Sequence, residues 1–287
     1  MAEKKQIKER IQATEKTYQI TQAMNMVSTA KLRRAERTLT EFKPISDSIK
    51  ETMNSLLLSN PDLTSTALQP NDHKPCYILI ASDRGLIGNY NNALFRHFEE
   101  YIKERHQSKK EFFVATIGYK AYSFAKKRGY RQVNTEPNNI RDDILFVDFE
   151  EVARGIVDGY LNQQVGKTIV FYQKYVNTMT SKITVDQILP IIPDKNAKKL
   201  DTTEYIFEPS KDEVLESLIK LDVSYTLFRI ILEAKASEHA SRMNAMKNAS
   251  DNAKEIEERL TLLYNHARQN QITTELTDII NGSNAVN

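Results

Sequence analysis

The stretch ASEHASRMNAMKNASDNA, residues 236–253, decides the fold because it lies within a long uninterrupted helical pattern. Proline and glycine are absent from residues 210–281, so about 70 residues can form one helix, roughly 105 Å long at 1.5 Å per residue. One row of this helix repeats at steps of three and four: Leu232, Ala236, His239, Met243, Met246, Ser250, Ala253, Ile256, Leu260, Leu263 and Ala267. This 3.5-residue period predicts a left-handed coiled coil, and its small residues predict close approach of a partner helix.

The partner helix is predicted at the N-terminus. Residues 1–43 also lack proline and glycine, and one row keeps a helical spacing: Ile7, Ile11, Thr14, Tyr18, Met24, Val27, Ala35, Leu39 and Phe42. Pro44 interrupts the backbone hydrogen bonding, yet Ile45, Ile49, Met53 and Leu56 continue the pattern beyond it. The helix is expected to end near Pro61, because the residue before a proline avoids helical geometry.

Between these helices the periodicity changes to that of an α/β domain. Strands are predicted at residues 76–81, 111–118, 167–175 and 183–191, and helices at residues 91–105, 119–128 and 148–161. Strands alternating with helices favour a mainly parallel, Rossmann-like sheet in three layers. Residues 61–75 contain three prolines and are expected to form a linker.

The predicted fold class is therefore α/β, with long N- and C-terminal helices forming an antiparallel coiled coil around an inserted domain. We expect residues 1–60 and 208–287 to form the coiled-coil shaft and residues 73–195 to form the Rossmann-like α/β domain. Because the second helix is longer, it is expected to extend beyond the first by roughly 20 Å and to expose a lone tip.

The charge balance argues against nucleic acid as a partner. The chain has 287 residues and carries 40 Lys and Arg against 38 Asp and Glu, a net charge of +2. Residues 1–43 carry ten basic and five acidic residues, whereas residues 210–281 carry nine and twelve, as suits two helices that pair. A basic arm that binds phosphates is the alternative explanation for the N-terminal excess.

The sequence contains only incomplete forms of the motifs that bind phosphate, dinucleotides or metals. Gly166-Lys167-Thr168 lacks the first glycine of a phosphate-binding loop, and the turn at residues 85–88 lacks the first glycine of a dinucleotide motif. The five histidines and the single cysteine, Cys76, show no metal-binding spacing. We therefore expect no catalytic, cofactor-binding or metal-binding residues. Without a signal core or an apolar run of about 18 residues, membrane association is expected only through partners.

Four segments together carry a resemblance to a known family. They are ITQAMNMVSTAKLRRA (residues 20–35), SDRGLIGNYN (82–91), the stretch quoted above, and YNHARQNQITTELTDIINGSNA (264–285). In this order they resemble the signatures of the gamma subunit of F-type ATP synthases over essentially the whole chain. Departures are small: Ile87 stands where the family often has cysteine, Asn89 where it often has glycine, and His266 where arginine or lysine is usual.

The resemblance implies a rotor shaft without catalysis of its own. In that family the coiled coil stands inside a hexamer of alpha and beta subunits, one copy per complex, and its foot rests with the epsilon subunit on the membrane ring of c subunits. Ion (proton) flow turns the ring and the shaft, which drives ATP synthesis in the beta subunits. The resemblance also implies a peripheral location at the cytoplasmic face of the bacterial inner membrane.

Partner-binding residues follow from the resemblance at matching positions only. It implies that Met24, Lys31 and Arg33 face the beta subunits, that Arg268, Gln269 and Thr273 meet the surrounding ring of subunits, and that a foot loop lies near the c-ring. That loop comprises Tyr205, Phe207, Glu208 and Pro209. Two alternative hypotheses for the function remain open. One is a coiled-coil tether or scaffold with an α/β docking domain, and the other is an α/β enzyme that uses the turn at residues 85–88.

Overall fold

The computed structural model describes residues 2–142, 144–193 and 207–286. Its elements, in chain order, are α1 (Ala2–Ser59), a 3-10 turn (Thr66–Leu68), β1 (Cys76–Ile80), α2 (Tyr90–Arg105), β2 (Phe113–Ile117), α3 (Tyr119–Arg128), α4 (Phe146–Leu161), β3 (Thr168–Tyr175), β4 (Ser181–Leu189) and α5 (Lys211–Val286). The chain forms two compact units: Met1–Thr29 with Arg242–Asn287, and Ala30–Ser241. We call them the smaller and the larger unit.

The larger unit contains a four-stranded sheet in the order β2-β1-β3-β4. β1 is parallel to both β2 and β3, which confirms the predicted mainly parallel sheet. β4 runs antiparallel to β3 because it follows through a short turn, without the helical crossover that a parallel neighbour needs. β2 is followed at once by α3 through Gly118, whose φ is +91° and where a Cβ would lie 2.0 Å from the Ala81 carbonyl oxygen.

Helices cover both faces of this sheet, which confirms the predicted three layers. Alternate residues of β1 point to opposite faces: Tyr77 and Leu79 pack with α2 and α3, whereas Ile78 and Ile80 pack with α1, α4 and α5. All five residues of β1 are buried, as expected for a central parallel strand. The long helices therefore provide one wall of the α/β core.

In the larger unit, α1 and α5 pair in antiparallel fashion. Asp47 of α1 lies 3.2 Å from Arg229 of α5. Asn60, which follows α1 directly, lies 3.4 Å from Lys211 at the start of α5. Phe42 stacks on Tyr225 with ring centroids 5.2 Å apart. As the position on α1 rises, the position on α5 falls.

The smaller unit shows the same antiparallel pairing. Thr21 Oγ1 lies 2.8 Å from Ser250 Oγ, and Asn25 Nδ2 donates to the Met243 carbonyl oxygen at 2.8 Å. Near the start of α1, the Lys4 ammonium lies 5.9 Å from the centre of the Tyr264 ring. Each pair again combines a rising position on α1 with a falling one on α5, so the predicted coiled-coil direction is confirmed.

The predicted row of α1 was wrong at two positions. Val27 and Ile45 are 54% and 50% exposed, whereas the neighbouring Ser28 and Ser46 are each only 2% exposed. The buried row follows the 3.5-residue period through these small polar residues. Ser28 satisfies its hydroxyl inside the helix by donating to the Met24 carbonyl oxygen at 2.7 Å, so burial leaves it bonded.

The predicted row of α5 was also wrong at Ile256 and Leu263, which are 47% and 55% exposed. Glu257 and Tyr264 are half-buried in their place. Two rows with the same period share positions 253, 260 and 267, and the sequence pattern favoured the more apolar of the two. The structure buries the other row, in which Tyr264 contacts Lys4.

Candidate functional site

The residues predicted in the N-terminal signature have three different environments. Met24, in the smaller unit, is half-buried, and Arg33, in the larger unit, is exposed. Lys31 is bound within the chain, because its ammonium lies 2.6 Å from the carboxylate of Asp142. Arg33 is therefore the predicted basic residue of α1 that stands most open to a partner, whereas Lys31 is already paired.

Asp142 forms the centre of a polar cluster that sequence reasoning missed. It lies in the short segment before α4, and its Oδ1 is 3.4 Å from Lys235 Nζ and 3.4 Å from His239 Nε2, both on α5. The hydrogen bond from His239, with Lys31 and Lys235 nearby, holds the pKa of Asp142 well below its usual range. Lys235 also lies 3.3 Å from Glu238. No local motif marks Asp142, because its partners come from distant parts of the chain.

The foot loop is described only in part. Tyr205 lies outside the described residues. Phe207 is half-buried and lies beneath the Lys211 ammonium, 5.3 Å from the ring centre, whereas Glu208 and Pro209 are exposed. These two residues present a small exposed surface directly before α5.

Helix α5 starts directly after the foot loop. The helix begins at Lys211. Ser210 caps it, since its hydroxyl oxygen accepts from the Glu213 amide at 3.3 Å and lies 3.2 Å from the Glu213 carboxylate. The serine hydroxyl thus satisfies one backbone amide of the first turn, as an N-cap residue does.

The C-terminal end of α5, in the smaller unit, is the most open surface of the described chain. Arg268, Gln269 and Thr273 are exposed there. The hydroxyl of Thr273 donates to the Gln269 carbonyl oxygen at 3.0 Å, so it turns back onto its own helix. Large apolar side chains are exposed between and beyond these residues: Ile272 (48%), Leu276 (54%), Ile279 (67%) and Ile280 (58%). A helix with such exposed apolar groups is typical of a surface that a partner covers.

Hydrogen bonds within the chain cross the crevice where an α/β sheet usually binds nucleotides. It lies between the carboxyl ends of β1 and β3, where the strand order reverses. Tyr90, the first residue of α2, donates its hydroxyl to the Ala234 carbonyl oxygen of α5 at 3.0 Å. Gln173 of β3 donates to the carbonyl oxygen of Tyr90. These hydrogen bonds join α2, β3 and α5 beside the point where a dinucleotide-binding fold holds phosphate.

The preceding turn is held by Asp83. Its carboxylate accepts from the amide of Tyr119 at 2.8 Å and from the amide of Ile140 at 3.0 Å. One carboxylate thus joins the ends of β1 and β2 and the segment before α4.

Among the described residues no group of three or more His, Cys, Asp and Glu is placed to hold a metal ion. None of the helices in this described part of the chain has the length and hydropathy of a membrane span.

Solved structures with this architecture include chains of mitochondrial ATP synthases. One chain of the Euglena gracilis mitochondrial OSCP/F1/c-ring structure aligns with a TM-score of 0.69 and 17% identity, covering 99% of this chain and 95% of that chain. A chain of the Tetrahymena thermophila central stalk and c-ring aligns with a TM-score of 0.62 and 20% identity, covering 80% and 99%. At these identities the similarity shows a shared fold.

Sequence comparison identifies the family. The family model described as ATP synthase matches residues 3–286. The ATP synthase gamma chain of Geobacter metallireducens is 36% identical over 287 residues, covering 100% of this chain and 99% of that one. The gamma chain of Staphylococcus haemolyticus is 35% identical over 288 residues, covering 100% of both. The chain belongs to the ATP synthase gamma chain family and is a subunit of that complex, with the role of the rotor shaft.

Proposed function

We propose that this chain couples ion (proton) flow through a membrane ring of c subunits to ATP synthesis in a hexamer of alpha and beta subunits. The observation that carries the proposal is the full-length match to ATP synthase gamma chains at 35% to 36% identity. The antiparallel helix pair suits this role, because a stiff pair transmits torque. Rotation of an asymmetric shaft changes which beta subunit it contacts, and differential contact shifts the conformations of those subunits.

Three surfaces are proposed for the partners. The exposed end of α5, with Arg268, Gln269 and Thr273, is proposed to meet the surrounding alpha and beta subunits. Its exposed apolar side chains support this assignment, since a partner would remove them from water. In the N-terminal signature, Met24 and Arg33 are proposed to face the beta subunits.

Lys31 is proposed to take part in the same contact while it stays paired with Asp142. Its side chain is 37% exposed, so part of it remains open to a partner subunit. The foot loop, comprising Tyr205, Phe207, Glu208 and Pro209, is proposed to rest on the c-ring together with the epsilon subunit. The same domain boundaries are proposed as in the sequence analysis: shaft 1–60 and 208–287, and α/β domain 73–195.

We further propose that ATP chemistry belongs to the beta subunits and that this chain contributes no catalytic group. The hydrogen bonds of Tyr90 and Gln173 across the crevice support this assignment of ATP chemistry to the beta subunits. The complex is proposed to hold one copy of the chain. We propose that the complex lies at the cytoplasmic face of the bacterial inner membrane and that this chain associates with the membrane only through its partners.

Co-purification tests the proposal most directly. A tagged chain, expressed at its natural level, is expected to bring down alpha and beta subunits in threefold molar excess over itself, measured by native mass spectrometry. Recovery of a dimer of this chain without alpha and beta would support the tether instead. An assembly with three copies of this chain would contradict the rotor.

A further inference from the structure

Two turns of α5, residues 233–239, receive contacts from three separate parts of the α/β domain. The Tyr172 hydroxyl of β3 lies 3.2 Å from the Glu233 carboxylate. The Tyr90 hydroxyl of α2 donates to the Ala234 carbonyl oxygen at 3.0 Å. Asp142, from the segment before α4, lies 3.4 Å from Lys235. We call residues 233–239 the grip segment.

The grip segment is buried although it carries four ionisable side chains. The exposed fractions are 5% for Glu233, 6% for Lys235, 5% for Glu238 and 2% for His239. Burying charged groups in a helix is unfavourable unless each is paired. The α/β domain supplies part of that pairing, so this part of α5 depends on the domain packed against it.

Asp142 connects the grip segment with the other long helix. Its carboxylate contacts Lys235 and His239 of α5 on one side and Lys31 of α1, at 2.6 Å, on the other. The side chains of Lys235 and His239 are 7% and 3% exposed, so both partners of Asp142 on α5 are shielded from water. A carboxylate held by three groups from two helices has one favourable position, unlike an apolar contact, which is non-directional.

We propose that Asp142 is a positioning residue that locks the α/β domain onto both long helices, so that domain and helices turn as one body. The lock itself depends only on contacts within the larger unit. Its consequence for coupling rests on the proposed function, because only in a rotor does slippage between domain and helices lose torque.

Hydrogen exchange on the full-length chain tests the lock without any partner. Asp142→Asn is expected to speed amide exchange about tenfold in the grip segment and in the first turn of α4, the effect of losing about 1.4 kcal/mol of local pairing. Exchange in β1 is expected to stay unchanged. The matched control is Glu151→Gln, which removes an exposed carboxylate from α4 and leaves exchange at the wild-type rate.

A second variant keeps this test decisive if Asp142→Asn does not fold. Tyr90→Phe removes only the hydroxyl that donates to Ala234 and is expected to speed exchange in the grip segment alone. Asp142→Glu retains the charge and is expected to restore most of the protection. Exchange in Asp142→Asn and Tyr90→Phe that equals the control would overturn the lock.

The assembled complex tests the consequence. With Asp142→Asn, ATP hydrolysis is expected to continue while ion pumping per ATP falls by at least about twofold, the lower end of what a residue in a coupling network changes. Equal pumping per ATP in Asp142→Asn and Glu151→Gln complexes would overturn the role in coupling. If the wild-type chain forms no complex with alpha and beta, the proposed function fails, and hydrogen exchange still decides the lock.

Discussion

Asp222 of α5 shows how a single buried charge affects the stability of the larger unit. The residue is 8% exposed, and among the described residues its Oδ1 has no hydrogen-bond partner. Burial raises the pKa of Asp222 from 3.8 to about 6, although Lys50 and Arg229 partly offset the rise. The folded chain therefore binds a proton at Asp222 that the unfolded chain has already released between these two pH values.

Asp222→Asn is expected to raise the free energy of unfolding at pH 7.5 by on the order of 2 kcal/mol, because it removes the cost of a buried charge. The raised pKa means that Asp222 makes wild type less stable as pH rises from 3.8 to about 6. The gain from the substitution should thus shrink toward pH 4. Urea unfolding at several pH values measures it. Asp251→Asn, an exposed control on the same helix, should show no such gain.

Arg268 is an exposed residue that we propose to bind partner subunits, so its substitution should affect function more than stability. Its side chain is exposed on α5, so Arg268→Glu is expected to change the stability of the chain by less than about 0.5 kcal/mol. In reconstituted complexes it is expected to slow coupled ATP synthesis severalfold, because it reverses a charge that we propose to face the partner subunits. Arg33→Glu is expected to behave likewise. Synthesis rates equal to those of Lys254→Glu, an exposed control on α5, would contradict the assignment.

The small residues of α5 determine how closely it packs with α1 in the smaller unit. Ser250 and Ala253 are 7% and 5% exposed. The hydroxyl of Ser250 lies 2.8 Å from that of Thr21 and 2.9 Å from the Met246 carbonyl oxygen, so the two polar groups satisfy each other. A larger side chain has no space in this seam without separating the helices.

Ala253→Leu is therefore expected to destabilise the smaller unit by about 1 to 3 kcal/mol through overpacking. Far-ultraviolet circular dichroism during thermal unfolding measures this effect, because it follows the loss of helix. Asn252→Leu places the same side chain at the neighbouring exposed position and is expected to leave the unfolding temperature nearly unchanged. Equal unfolding temperatures for the two variants would show that the seam tolerates bulk.

At the scale of the whole molecule, the chain combines a sheet of the nucleotide-binding type with long helices that pack against one face of it. Tyr90 and Gln173 form hydrogen bonds at the point where such sheets usually hold phosphate. The long helices bury the opposite face of β1 through Ile78 and Ile80. The α/β domain therefore serves as a packing partner of the helix pair.

The isolated chain is accordingly expected to bind neither ATP nor NAD. Titration calorimetry at micromolar protein concentration is expected to show only heat of dilution for both ligands, because Tyr90 at the start of α2 is already bonded to the Ala234 carbonyl oxygen of α5. A complex that contains beta subunits, titrated with ATP under the same conditions, is the positive control. A saturable heat from the isolated chain would revive the enzyme hypothesis based on the turn at residues 85–88.

Sequence periodicity predicted much of the fold, since the helices, the strands and their order follow local spacing. It failed where two rows share a period. Val27 and Ile45 were expected in the α1 seam, whereas the structure buries Ser28 and Ser46. Hydrophobicity alone does not separate adjacent rows when small hydroxyl side chains bond within their own helix. The partner-binding residues came from resemblance to a family and stay predictions.

The amino-acid sequence by itself determined two long helices, an α/β domain between them and membership of the gamma chain family. These properties depend on local periodicity and on matched segments, both of which are read along the chain. Only the tertiary structure decided that Asp142 meets Lys31, Lys235 and His239. The physical reason is that a carboxylate interacts over a few ångströms in space, and its partners are more than 90 residues away along the chain on both sides.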